Sequence, residues 1–128
     1  MEQRTHLAID RGLVGVVEEL GDGTSRVSLA AGAEMEADER GLVHGGFTFG
    51  LADYAAMVAV NDPNVVLGGA DVRFIAPVRV GQRMVATART LEAKGKKRVL
   101  TVQVEVEGRA VLEGTFTAFV LEKHVLEG

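Results

Sequence analysis

An α+β fold is predicted for this chain, a curled antiparallel sheet of about six strands around one helix. Three observations point there. Two short runs of β character precede a single helical stretch, four longer runs follow it, and the helical stretch carries almost no charge. A helix on the surface of a domain shows a polar stripe. One without a stripe is enclosed, and a sheet wrapped around it is the economical way to enclose it.

The elements follow in order. Residues 13–20 (LVGVVEEL) and 24–30 (TSRVSLA) read as strands joined by the turn signal Gly21-Asp22-Gly23. Residues 31–43 read mostly as loop, with Asp38-Glu39-Arg40-Gly41 as a turn. The helix spans 46–60, where Phe47, Leu51, Ala55 and Val58 keep helical spacing and Ala52, Ala56 and Ala59 fill the adjacent face. Its small side chains let a sheet approach the axis closely, and Thr48 is expected to support its first turn. Asn61-Asp62-Pro63 ends it, because proline disfavours a helical residue before it. Residues 65–76, 83–92, 97–107 and 110–121 read as strands, and 101–107 (TVQVEVE) alternate strictly, one face buried and one wet. Ala93-Lys94-Gly95-Lys96 and Glu107-Gly108-Arg109 supply the hairpin turns. One helix cannot cover both faces of such a sheet, so dimerisation is expected on packing grounds.

Composition narrows the function. With 128 residues the chain is expected to be one domain, 1–128. A net charge of −4 argues against a nucleic-acid partner, which needs a strongly basic surface. The absence of cysteine removes disulfides, thiolate nucleophiles and cysteine metal sites. His6 and His124 lie near the termini without clustered ligands, so no metal is expected. The first residues lack a signal-peptide core and no apolar run reaches the roughly 20 residues of a membrane span. A cytoplasmic protein without membrane contact is the expectation. Ser25 and Ser28 are the only serines and no Gly-x-Ser-x-Gly is present, which disfavours a serine-hydrolase elbow.

The chemistry concentrates in 41–57, GLVHGGFTFGLADYAAM. His44-Gly45-Gly46 opens the helix, where backbone N–H groups lack intrahelical acceptors and can hold negative charge on a carbonyl oxygen. Asp53 is the only charged side chain between Phe47 and Val60. A shielded carboxylate is more basic than one in water and can act as nucleophile or general base. The bland alternatives are a hydrogen-bonded structural aspartate, glycines serving only the backbone geometry of the turn, and a histidine that merely holds the loop.

On these residues, together with Phe74-Ile75-Ala76-Pro77-Val78, Gly81 and Glu113-Gly114-Thr115-Phe116, the chain over about 13–121 resembles hotdog-fold acyl-CoA thioesterases of the phenylacetate-pathway type, relatives of some 4-hydroxybenzoyl-CoA thioesterases. The resemblance implies a homodimer, often paired into a tetramer, with sites completed by residues of two subunits. It implies hydrolysis of an acyl-CoA to a carboxylate and coenzyme A without metal or redox cofactor. It assigns Asp53 as nucleophile or base, the Gly45 N–H as oxyanion donor with Gly46 beside it, and His44 as an orienting group. The family commonly has Asn or Gln six positions before the histidine; here that position is Asp38, assigned to orient substrate or water. Relatives often place a hydroxyl in the strand after the helix, where this chain has Leu67-Gly68-Gly69. Arg73, Lys96 and Arg98 are the candidates for the coenzyme A phosphates, with Lys94 and Lys97 in the same cationic hairpin. The rival readings are an acyl-CoA-binding sensor or carrier without catalysis, a hotdog hydratase, for which the usual acid–histidine pair is missing, and a plain structural dimer.

Overall fold

The computed structural model describes all residues, Met1–Gly128. Its elements are β1 (Val16–Gly21), β2 (Thr24–Ala30), a short 3-10 turn (Ala33–Met35), α1 (Gly45–Val60), β3 (Val65–Phe74), β4 (Arg83–Lys94), β5 (Lys97–Val106), β6 (Arg109–Val120) and a terminal 3-10 turn (Val125–Glu127). The strands form one antiparallel sheet in the order β1-β2-β4-β5-β6-β3. It curls around α1, so the expected α+β hotdog architecture is the one found. No helix is long and apolar enough to cross a membrane.

The helix begins one residue earlier than its spacing implied, and β1 begins three residues later. Residues 10–14 close a turn instead, with Val14 N–H donating to Asp10 O at 2.9 Å. Gly15 then takes φ +151°, and a Cβ there would sit 2.8 Å from Val27 Cγ1 and 3.0 Å from Leu51 Cδ1. The chain can cross the core at that point only without a side chain.

The core is a cluster of 26 buried apolar residues. Alternation on β5 puts Leu100, Val102, Val104 and Val106 inside and leaves Thr101, Gln103 and Glu105 half-buried outside. On β4 the inward residues are Met84, Ala86 and Ala88. The small size of Ala86 and Ala88 lets α1, itself alanine-rich, lie close against β2 and β4. Two side chains fix its position along these strands. Ser25 Oγ donates to Ala55 O at 2.6 Å, and Thr48 Oγ1 donates to Met84 Sδ at 3.5 Å. Thr48 thus serves the helix–sheet contact, and the first turn has no side-chain cap.

At the other end, Asn61 takes the left-handed conformation, φ 56° and ψ 41°, and its N–H returns to Met57 O. Asparagine tolerates that conformation better than most residues. Its side chain also clasps the N-terminal segment: Oδ1 accepts from Arg4 N–H at 2.7 Å and Nδ2 donates to Glu2 O at 2.8 Å. Gln3 Nε2 reaches the Tyr54 hydroxyl at 3.0 Å. Residues 2–6 therefore lie along the second half of α1.

Candidate active site

The start of α1 is held from both sides. Residue pairs Glu36–Val43 and Leu42–Arg79 form antiparallel bridges. Val43 N–H donates to Val78 O and His44 N–H to Met35 O, both at 2.9 Å. The first helical N–H with a partner is that of Phe47, which donates to His44 O at 3.0 Å; those of Gly45 and Gly46 have no acceptor within the chain. Two amides on a fixed frame are thus free to bind an oxygen that carries negative charge. The Phe74 ring lies against Gly45, since a Cβ there would sit 3.2 Å from its Cε1. Beside it opens a cavity of about 240 Å³ lined by Val43, Gly45, Thr48, Phe74 and the Ile75–Val78 segment.

His44 is exposed beside these amides, its ring edge-on to Phe47 at 6.2 Å. Asp38 is exposed and engaged: Oδ1 accepts from Arg40 N–H at 2.9 Å and from Leu42 N–H at 3.3 Å, which shapes the turn before the helix.

Asp53 sits in a different setting. The helix positions with residual exposure between its ends are Gly46, Phe47, Phe49, Gly50 and Asp53, and all others from Thr48 to Ala59 are buried. Gly46, Gly50 and Asp53 share one face. A Cβ on Gly50 would meet nothing within 4 Å, so room remains beside the carboxylate on the side of the helix start. Asp53 Oδ1 is buried with no hydrogen-bond partner. Loss of hydration pushes its carboxyl up from 3.8 to about 6. No salt bridge holds it. The carboxylate is thus unpaired within the chain and made more basic by burial.

Asp53 lies eight positions along the chain from Gly45. At a rise of 1.5 Å per residue that is about 12 Å along the axis, far beyond the roughly 3 Å at which one group attacks a carbonyl whose oxygen another group holds. The two therefore cannot act on one thioester from within one helix.

The remaining sequence candidates lie apart. Arg73 is exposed, and its Nη2 is 3.6 Å from Glu113 Oε2; Glu113 also accepts from Gln103 Nε2 at 2.9 Å, which places the pair on the outer face of the sheet. Lys96 and Arg98 belong to the β4–β5 hairpin. Since β4 leaves the helix start at Met84 and passes Ala55 by way of the Ser25–Ala88 rung, this hairpin is at the C-terminal end of α1. Arg98 Nη1 donates to the carbonyls of Gly95 and Lys97 in its own turn. The absence of a hydroxyl at 67–69 has a packing reason in part: the strand bulges there, and a side chain on Gly68 would run into the Phe119 ring. Sequence reading missed Phe74 as the cover of Gly45, and Arg40 and Arg79 beside the helix start. The proline and glycine around Arg79 (Pro77, Gly81) mark a turn but say nothing of what it abuts.

A six-stranded antiparallel sheet curled around one helix, with free amides at its start and a lone carboxylate within it, defines a hotdog protein. The chain belongs to the thioesterase superfamily, whose family model matches residues 40–113. It is similar to methylthioribose-1-phosphate isomerase of Aquifex aeolicus, 46% identical over 123 residues, 95% of this chain and 27% of that protein. Transcription factor FapR of Caldanaerobacter subterraneus is 29% identical over 86 residues, 67% of this chain and 43% of that protein. The chain thus spans less than half the length of either relative. Among solved structures, PH1136 from Pyrococcus horikoshii superposes with a TM-score of 0.97 at 56% identity, over 98% of this chain and 97% of that one. A point mutant of the phenylacetic acid degradation protein PaaI from Thermus thermophilus superposes with a TM-score of 0.78 at 30% identity, over 85% of this chain and 95% of that one.

Proposed function

We propose that the protein is a cytoplasmic acyl-CoA thioesterase of the phenylacetate-pathway type, related to 4-hydroxybenzoyl-CoA thioesterases, acting as a homodimer that pairs into a tetramer. The observation that carries this reading is Asp53: a carboxylate without partner, made basic by burial, on a helix otherwise uncharged over its length. The likeness to PaaI supports the branch. The edge strand β3 supports the dimer, because residues 68–71 are exposed and their outward backbone groups have no strand to pair with. A twofold partner would also bring the Asp53 of one subunit towards Gly45 of the partner subunit, which the separation of about 12 Å within one helix requires.

The chemistry needs two operations. Asp53 either attacks the thioester carbon or takes a proton from a water that does. The carbonyl oxygen becomes an oxyanion, and the Gly45 amide, with Gly46 beside it, holds that charge in a site shielded from water. The C–S bond then breaks. Coenzyme A leaves as thiolate and receives a proton, and the acyl group ends as a carboxylate; in the covalent route, water first hydrolyses the acyl–Asp53 anhydride. His44 and the Asp38 turn orient substrate or water at the mouth. No cofactor is needed beyond the coenzyme A that the substrate carries, and neither nucleic acid nor membrane enters the reaction.

A thiol-release assay across short, long, aromatic and hydroxylated acyl-CoAs tests this. Wild type is expected to turn over at least one class, and Asp53→Ala to lose turnover by orders of magnitude with its circular dichroism unchanged. Undiminished hydrolysis in Asp53→Ala removes the proposed role. The similarity to a transcription factor favours one second reading, an acyl-CoA-binding sensor. Tight acyl-CoA binding without thiol release would select it.

A further inference from the structure

We infer that Arg40 and Arg79 form the seat for the phosphates of the coenzyme A nucleotide, on the subunit whose Gly45 amide holds the thioester. The inference rests on the acyl-CoA reading, whether catalytic or sensory.

Geometry and charge carry it. The Leu42–Arg79 bridge places these two side chains on the same side of the ribbon that leads into α1, and Val80 N–H to Gly41 O at 2.9 Å continues it. Val43 and Val78, the next residues on each strand, are buried, so Leu42 and Arg79 face solvent. Arg40 stands in the turn at the end of the same ribbon and is exposed. Neither guanidinium is within 4 Å of a carboxylate, whereas Arg26, Arg73 and Arg83 all are. Asp38 is committed to backbone amides of the turn, and Glu36 and Glu39, the other acids there, make no ion pair. Arginine suits a phosphate through its planar fork of donors.

Reach, together with the face each side chain occupies, favours these two over the earlier candidates. The pantetheine arm has about thirteen bonds between sulfur and the first phosphorus, so it reaches about 15 Å when extended, at the roughly 3.3–3.6 Å that three chain bonds cover. Leu42 is three residues from Gly45, about 10 Å of extended chain, and Arg79 is one strand spacing of about 5 Å beyond it. Arg40 is five residues from Gly45, at most about 16 Å. A thioester held at Gly45 thus delivers its diphosphate to this pair. Arg73 is occupied on the outer sheet face, and the Lys96–Arg98 hairpin is a helix length from Gly45 of the same chain.

Titration calorimetry with coenzyme A itself tests the seat without requiring turnover. Arg40→Ala and Arg79→Ala should each weaken binding about tenfold, the loss of one charge-assisted contact, and the double variant more. Lys96→Ala should bind as wild type does. Where turnover is measured, KM for an acyl-CoA should rise in the arginine variants, while kcat/KM for the same acyl group on N-acetylcysteamine, which lacks the nucleotide, stays at the wild-type value. Unchanged coenzyme A affinity, or an equal loss on both thioesters, overturns the assignment. So does a change of oligomeric state in the variants, which would make this face a subunit contact. Failure of wild type to bind or cleave any coenzyme A compound would instead sink the acyl-CoA reading.

Discussion

Asp53→Asn should make the protein both inactive and more stable at neutral pH. The Asp53 carboxyl is held at about 6, against 3.8 for the free side chain, and burial is the cause. A carboxyl whose value rises on folding binds its proton more tightly in the folded state. The strain is absent below about pH 4, where both states are protonated. It grows between about 4 and 6 and is complete above about 6, where the folded protein must carry a poorly hydrated charge. Roughly two pH units at 1.36 kcal/mol each set the cost at no more than about 3 kcal/mol. Asparagine keeps the shape and removes the charge. Urea unfolding at equal protein concentration should give Asp53→Asn an advantage approaching that figure at about pH 8 and almost none at about pH 4. The wild-type kcat/KM should fall about tenfold per pH unit below about 6, as the base is protonated. An Asn variant no more stable than wild type on the alkaline side, or an advantage that persists in acid, would refute desolvation as the origin of the basic carboxylate.

Two further expectations concern the frame. Gly50→Ala should stabilise the chain by about 0.5–1 kcal/mol, since the helix gains propensity and the new Cβ meets nothing within 4 Å. Gly114→Ala should instead cost about 1–3 kcal/mol, because its Cβ would press 2.7 Å from the Asp71 backbone oxygen; thermal unfolding of both variants checks the opposite signs. Asn61→Ala removes two hydrogen bonds to the N-terminal segment and a residue suited to φ 56°, a loss of about 2–3 kcal/mol, and limited proteolysis should then cut within residues 1–6 first.

The order of elements was legible because each rests on local chemistry. Alternation marks β5, the glycine-bearing turns mark the hairpins, and the uncharged run marks an enclosed helix. The turn at Glu107-Gly108 illustrates why: both residues have positive φ, 51° and 79°, the backbone that a two-residue hairpin of this twist demands. Asp53 stood out for a similar reason, as a lone charge in an apolar run. What escaped was set by long-range pairing. No periodicity tells that β3 crosses to the far edge beside β6, that Phe74 then lies over Gly45, or that Arg79 is brought opposite Leu42. Asn61 was legible as a helix terminator, but its hold on Glu2 and Arg4 was not, because nothing in the first six residues announces a docking partner.

The separation between Gly45 and Asp53 also yields a test of how the site is assembled. Gly45 is the first residue of α1, where proline is tolerated, and His44 before it has φ −63° and ψ 129°, the extended conformation that proline prefers in its predecessor. Gly45→Pro therefore deletes one amide donor with little disturbance to the helix. The Phe74 ring edge, 3.2 Å from the new Cβ, has only to swing slightly. Homodimers of Gly45→Pro should have strongly reduced turnover, and those of Asp53→Asn none. Unfolded together and refolded at equal amounts, the two chains form about half mixed dimers under random pairing. In each mixed dimer one site joins the intact Gly45 of the Asn chain to the intact Asp53 of the Pro chain. Recovery of about a quarter of the wild-type rate is expected, since half the dimers have one working site of two. A mixture no more active than its parents would mean that Gly45 and Asp53 do not meet across subunits, and the oxyanion would need another donor near the carboxylate.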